Sequence, residues 1–110
     1  MPVDHPGHAQ AYHNMGLIYY QILDYEKALE CFKEALRMRE KSLAPTHPYV
    51  ARTCYQIGLT YQELGDRQQA LENAMKAFEI QRLKLPETND ERTKTKQFID
   101  DLNRNDSLQQ

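Results

Sequence analysis

Long apolar runs are missing from this 110-residue sequence. No stretch approaches the roughly 18 uninterrupted apolar residues of a membrane span. The opening, Met1-Pro2-Val3-Asp4-His5-Pro6, has neither the basic start nor the apolar centre of a secretory signal. Cysteine is scarce: Cys31 and Cys54 stand far apart, suggest no disulfide framework, and make a reducing, cytoplasmic setting the expected one. A basic surplus is missing too. Lys and Arg number 14 against 16 Asp and Glu, a net charge of -2, and the cations are dispersed. That balance supplies no face to neutralise nucleic-acid phosphates and no membrane-surface patch.

The signatures of catalysis are lacking as well. There is no glycine-rich phosphate loop, no G-x-S-x-G and no H-E-x-x-H. His5, His8 and His13 lie close in sequence, but zinc needs a full ligand set and neither cysteine is near, so no metal and no cofactor are expected. Cys54 falls on a core-facing helical position, where a small buried hydrophobe is expected rather than a nucleophile. The paired acids Asp90-Glu91 and Asp100-Asp101 fall on a terminal helix, where solvation and helix-end electrostatics account for them. No enzyme is expected.

What the sequence does contain is a repeat. A shift of 42 positions superposes residues 5–46 on 47–88 without a gap. The identities are His5, Pro6, Ala9, Gly16, Leu17, Tyr19, Asp24, Ala28, Leu29, Glu30, Ala35, Leu43 and Thr46 with their counterparts. Most are small or apolar and recur at helical spacing. The layout predicts an all-α chain with two helices per unit. His47-Pro48 opens a helix, since proline is tolerated in the first turn. Cys54, Ile57, Tyr61 and Leu64 then recur three and four apart. Gly65-Asp66 makes the turn. The second helix runs through Ala70, Ala74, Ala77, Phe78 and Leu85 to Pro86. The first unit predicts helices near 6–22 and 25–43. Gly16 and Gly58 allow close helix crossings against Ala28 and Ala70, with Tyr12, Tyr19, Phe32 and Tyr61 filling the volume between.

The order aromatic-x2-apolar-Gly-x2-Tyr…Ala-x3-Phe resembles the tetratricopeptide signature. It reads Tyr12, Met15, Gly16, Tyr19, Ala28 and Phe32 in the first unit, and Cys54, Ile57, Gly58, Tyr61, Ala70 and Ala74 in the second. The period of 42 and the His-Pro start resemble the repeats of kinesin light chains over residues 5–88. Leu23 stands where the family has its turn glycine, and Cys54 and Ala74 replace larger residues, so looser packing is expected in the second unit. The resemblance implies a helical-hairpin solenoid forming one domain over 1–110: repeat 5–46, repeat 47–88, and a C-terminal capping helix. That helix is predicted over 89–104, with 105–110 as a frayed tail. Thr88 with Glu91 fits a capping box. Thr95, Phe98, Ile99 and Leu102 form its packing face, while Asp100 and Asn103 replace the glycine and tyrosine that would seat a further helix.

The resemblance further implies that the first helices line a concave groove for a peptide segment of a partner protein, the work of an adaptor or scaffold. Carried over by position, the groove residues are Gln10, His13, Asn14, Leu17 and Tyr20 from the first unit. Arg52, Tyr55, Gln56, Leu59 and Gln62 come from the second, with Lys94 and Gln97 from the cap. Asn14 falls where a family asparagine holds the peptide backbone, and its amide offers donor and acceptor together. A two-lysine carboxylate clamp is not seen, because His13 occupies one of its positions. Solvated helix faces also carry Gln, Arg and Tyr, but tyrosine is enriched at interfaces. One stripe is left over. Ala11, Met15, Ile18 and Ile22 occupy the positions at which Thr95, Ile99 and Leu102 contact a preceding unit, and an apolar stripe facing water marks an interface. The chain also starts at a His-Pro that elsewhere follows an upstream helix. The alternative expectation is therefore the C-terminal end of a longer array, or a homodimer through the first helix.

Overall fold

Five α-helices follow one another, and no strand occurs among the described residues. The computed structural model describes residues 6–109, with side chains over 8–104. The helices are α1 (Pro6–Gln21), α2 (Tyr25–Ser42), α3 (Pro48–Glu63), α4 (Arg67–Lys84) and α5 (Asp90–Gln109). α1 pairs with α2 and α3 with α4, while α2 stacks on α3 and α4 on α5. The stack measures 50 × 32 × 19 Å. His5, the expected start of the first repeat, lies outside the described residues.

Side chains take up the backbone N–H groups that helix starts leave without partners. His47 caps α3, its Nδ1 accepting from the Tyr49 N–H at 3.0 Å, with Pro48 in the first turn. Asp24 caps α2 by accepting from Lys27 at 3.2 Å, and Asp66 does the same for α4 from Gln69 at 3.1 Å. At α5 the expected capping box is corrected. Asn89, not Thr88, is the cap, its Oδ1 accepting from the Arg92 N–H at 3.0 Å. Glu91 does not reach back, because the Arg52 guanidinium holds it with two bonds of 2.9 Å. A bidentate charged pair outcompetes one backbone N–H for a carboxylate. The helix passes the predicted end at 104, and the side chains of the expected frayed stretch 105–110 lie outside the described residues.

The two glycine crossings are tight in different ways. A Cβ on Gly16 would stand 2.6 Å from the ring of Phe32, which is fully buried. A Cβ on Gly58 would meet the Ala70 carbonyl oxygen at 3.0 Å and the Phe98 ring at 3.2 Å. Ala74 occupies the position equivalent to Phe32, yet the looser packing expected there does not arise. Phe98 of α5 enters the space instead and packs with Ala70, Ala74 and Leu102. Cys54 is fully buried among Val50, Ala51, Ala77 and Ile80. Tyr12 departs from expectation: it is 37% exposed and does not fill the interhelical volume.

The α1–α2 turn carries strain. Leu23 takes a left-handed φ of 68°, and Gly65, its equivalent, takes 84°. A side chain in that region costs roughly 1–2 kcal/mol, and the exposed Leu23 side chain recovers little by packing. Leu23→Gly is therefore expected to stabilise the chain by about 1 kcal/mol, after the entropy of an added glycine is deducted. Chemical denaturation of the two proteins checks this.

Candidate functional site

The site is built on the junctions between units. At the first junction the buried Arg39 of α2 reaches across to both neighbouring first helices. Its Nη1 donates to the Tyr49 carbonyl at 3.0 Å and the Thr53 hydroxyl at 2.8 Å, and its Nη2 donates to Gln10 Oε1 at 2.8 Å. The Tyr49 ring lies 5.2 Å away. Gln10 in turn donates through Nε2 to Asn14 Oδ1 at 2.9 Å. A buried guanidinium thus orients, through one glutamine, the exposed amide of Asn14. With its oxygen engaged, the Asn14 N–H groups are presented to solvent.

At the second junction the polar residues are exchanged. Position 81, equivalent to 39, is Gln81, and position 52, equivalent to 10, is Arg52. Arg52 turns to Glu91 across the α3–α5 gap. Its hydrogen bonds hold Glu91 below the usual carboxylate range. Beside this pair lies a hollow of about 260 Å³ that His13, Leu17, Arg52, Tyr55, Gln56 and Lys94 line together with Gln81 and Glu91. A second hollow, about 300 Å³, shares Tyr55 and Lys94 and adds Leu59, Gln97, Phe98 and Asp101. Tyr55 stands edge-on to Phe98, with ring centroids 5.9 Å apart. The two hollows make one trough with aromatic and aliphatic walls and an amide and charged rim.

Eight of the twelve residues read from the sequence line this trough: His13, Leu17, Arg52, Tyr55, Gln56, Leu59, Lys94 and Gln97. The other four lie outside both hollows. Gln10 and Asn14 are exposed on α1, Gln62 is half-buried on α3, and Tyr20 packs edge-on to Tyr25 with centroids 5.2 Å apart. Burial, with Glu63 nearby, pushes the Tyr20 phenol up to about 12. Sequence reasoning missed Gln81, Glu91, Phe98 and Asp101 as lining residues. Gln81 had one signal, a polar residue equivalent to Arg39 on a helix face otherwise carrying Ala77 and Ile80.

The remaining reactive side chains belong to the core. Burial raises the Cys54 thiol to about 11, a range in which it is not a nucleophile at neutral pH. His, Cys, Asp and Glu form no group of three that could hold a metal among the described residues. None of the helices is long and apolar enough to cross a membrane.

A family model described as tetratricopeptide repeat matches residues 7–82. Among solved structures, a kinesin light chain-type protein of Podosopora anserina with nearly identical TPR-like repeats superposes with a TM-score of 0.82 at 20% identity, covering 96% of this chain and 50% of that one. A point variant of the same protein gives 0.77 at 18% identity, covering 98% and 51%. This chain thus spans about half the length of each. Among curated proteins none matches the sequence.

His13 is the site's most perturbed histidine. It is 3% exposed, edge-on to Phe32 with centroids 5.4 Å apart, and its Nδ1 lies 3.2 Å from the Thr53 hydroxyl. That hydroxyl also lies 3.3 Å from the Tyr49 carbonyl. Burial, then Arg39 and Arg52, lower its pKa from 6.5 to about 4. The unfolded chain therefore binds a proton here between those values and the folded chain does not. Stability is fully present above about pH 6.5 and is lost as pH falls towards 4, by at most on the order of 3 kcal/mol. Urea unfolding across this window is expected to show a shallower pH dependence for His13→Gln than for the parent.

Proposed function

The chain belongs to the tetratricopeptide repeat family, and from that premise we propose that it binds a peptide segment of a partner protein in the trough formed by α1, α3 and α5. Tetratricopeptide repeats are protein–protein interaction modules, and their fold is a non-enzymatic scaffold. The observation that carries the finer reading is the trough itself. Tyr55, Leu17, Leu59 and Phe98 offer apolar walls, while Gln56, Gln97 and Lys94 offer polar contacts at the rim. Pockets of that kind suit a peptide, whose side chains need apolar seats and whose backbone needs donors and acceptors. Asn14 adds N–H donors held in place by Gln10 and, behind it, Arg39. No catalytic role is part of the proposal, and a reducing cytoplasm suits the two free thiols, Cys31 and Cys54.

A second reading, self-association, rests on a separate observation. Thr53, Ile57 and Thr60 of α3 are no more than 2% exposed, and Ile57 packs on Ala28 and Phe32 of α2. Thr95 and Leu102 of α5 are equally covered. The α1 equivalents Ala11, Met15 and Ile18 are open, Met15 44% and Ile18 58% exposed, and Ile22 is 64% exposed where its counterpart Leu64 is 39% exposed. A face open on α1 but covered at Thr53, Ile57 and Thr60 and at Thr95 and Leu102 favours a second copy, or another repeat unit, seated on α1.

Two measurements check these readings. Peptides captured from a proteome-scale display on the chain should bind about tenfold more weakly to Asn14→Ala and Tyr55→Ala, while Glu30→Ala, on the exposed side of α2, should bind as the parent does. Equal binding by all three variants would remove the trough as the site. For self-association, sedimentation should show concentration-dependent dimers that Ile18→Glu abolishes. A clean monomer whose solubility is indifferent to that change would rule out the α1 face.

A further inference from the structure

The exchange of Arg39 for Gln81 leaves an unusual group in the trough. Gln81 is 1% exposed, and its Oε1 accepts no hydrogen bond. Buried polar groups are almost always partnered, so an unmet acceptor on a residue that lines a hollow points to a function outside the fold's own bonding, reached when the closed Oε1 turns towards the hollow about the last side-chain bond. The equivalent guanidinium of Arg39 makes three bonds and fills its space. A donor for Gln81 does exist nearby, because Arg52 lines the same hollow. Yet Arg52 is held at Nε and Nη2 by the two Glu91 oxygens.

We propose that Gln81 is the floor of a subsite that takes a carboxamide, the side chain of an asparagine or glutamine, from the bound peptide. The inference rests on the trough being the peptide site. Charge decides the class of side chain. Arg52 and Lys94 outnumber Glu91 at the walls, and Glu91 is already paired, so an incoming lysine or arginine meets net repulsion. A carboxylate brings only acceptors towards an oxygen that needs a donor. A neutral donor fits both constraints. A hydroxyl makes one bond to Gln81, whereas a carboxamide makes two, its N–H to the Gln81 carbonyl and its carbonyl to the Gln81 amide. The aliphatic stem of such a residue lies along Tyr55 and Leu17.

The test uses a random-peptide phage library selected on the whole chain, with Gln81→Met as the shape-conserving variant. Selected peptides are expected to share one asparagine or glutamine. Changing it to leucine should weaken binding to the parent about tenfold or more, and to Gln81→Met less than about twofold, the coupling of a direct contact. Peptides that lose binding with Tyr55→Ala yet are indifferent to Gln81→Met would overturn the subsite and leave the trough standing. Peptides indifferent to Tyr55→Ala, or a selection that yields none, would overturn both. A measurement without ligand stands beside it. Gln81→Met removes a buried acceptor with no partner, so its thermal midpoint should rise. A lowered midpoint would mean that the amide is satisfied within the fold, and would overturn the proposal.

Discussion

Two helices can share one core only if something is left out where they cross. Here the omitted groups are the side chains of Gly16 and Gly58, each with an alanine, Ala28 or Ala70, on the facing helix. The spacing is so close that one added carbon would strike a ring or a backbone oxygen. Everything else is arranged around this approach. It aligns α1, α3 and α5 on one side, so their outward residues form a continuous trough. It also brings α2 and α4 near enough to place Arg39 and Gln81 under the next first helix. Overpacking such a contact disturbs the whole hairpin rather than one site.

The two junctions solve one problem with opposite chemistry. Each places a polar side chain of a second helix between the first helices on either side of it. The first uses a buried cation among neutral oxygens, an arrangement that lowers the pKa of Arg39 through burial and disfavours a charge on His13. The second moves the cation to the surface-facing helix, pairs it with Glu91, and leaves an amide beneath. Desolvating a guanidinium is costly, and the second junction avoids that cost while opening a cavity. The repeat is therefore symmetric in its backbone and asymmetric in its chemistry, and the proposed recognition follows the asymmetry.

Much of the fold was legible because its determinants are local or recur at a fixed interval. Proline at the start of α3, aspartate at the starts of α2 and α4, and glycine at the crossings each act within a turn or against the paired helix. The repeat interval then assigned equivalent packing roles, and most of the trough followed from the resemblance to tetratricopeptide repeats. Contacts between distant residues were not legible. Asn89 rather than Thr88 caps α5 because Arg52, remote in sequence, captures Glu91. Tyr12 fits the signature but is open to solvent, since the signature records residue types and not which of them finds a neighbour. Gln81 escaped notice because its significance is a missing bond, and a missing bond requires coordinates.

Phe98 carries a consequence for how the chain divides. The ring that seals the Gly58 crossing comes from α5, not from the hairpin it completes, while the Gly16 crossing is sealed from within by Phe32. The boundaries seen in the sequence are thus not the boundaries of cooperative opening. Ile57 and Arg39 tie α2 to α3 as well, but α3, α4 and α5 share in addition the ring that closes their crossing, and should exchange their amide hydrogens as one block. A cut between α4 and α5, where the sequence shows a neat repeat boundary, would leave the second hairpin with an open seam.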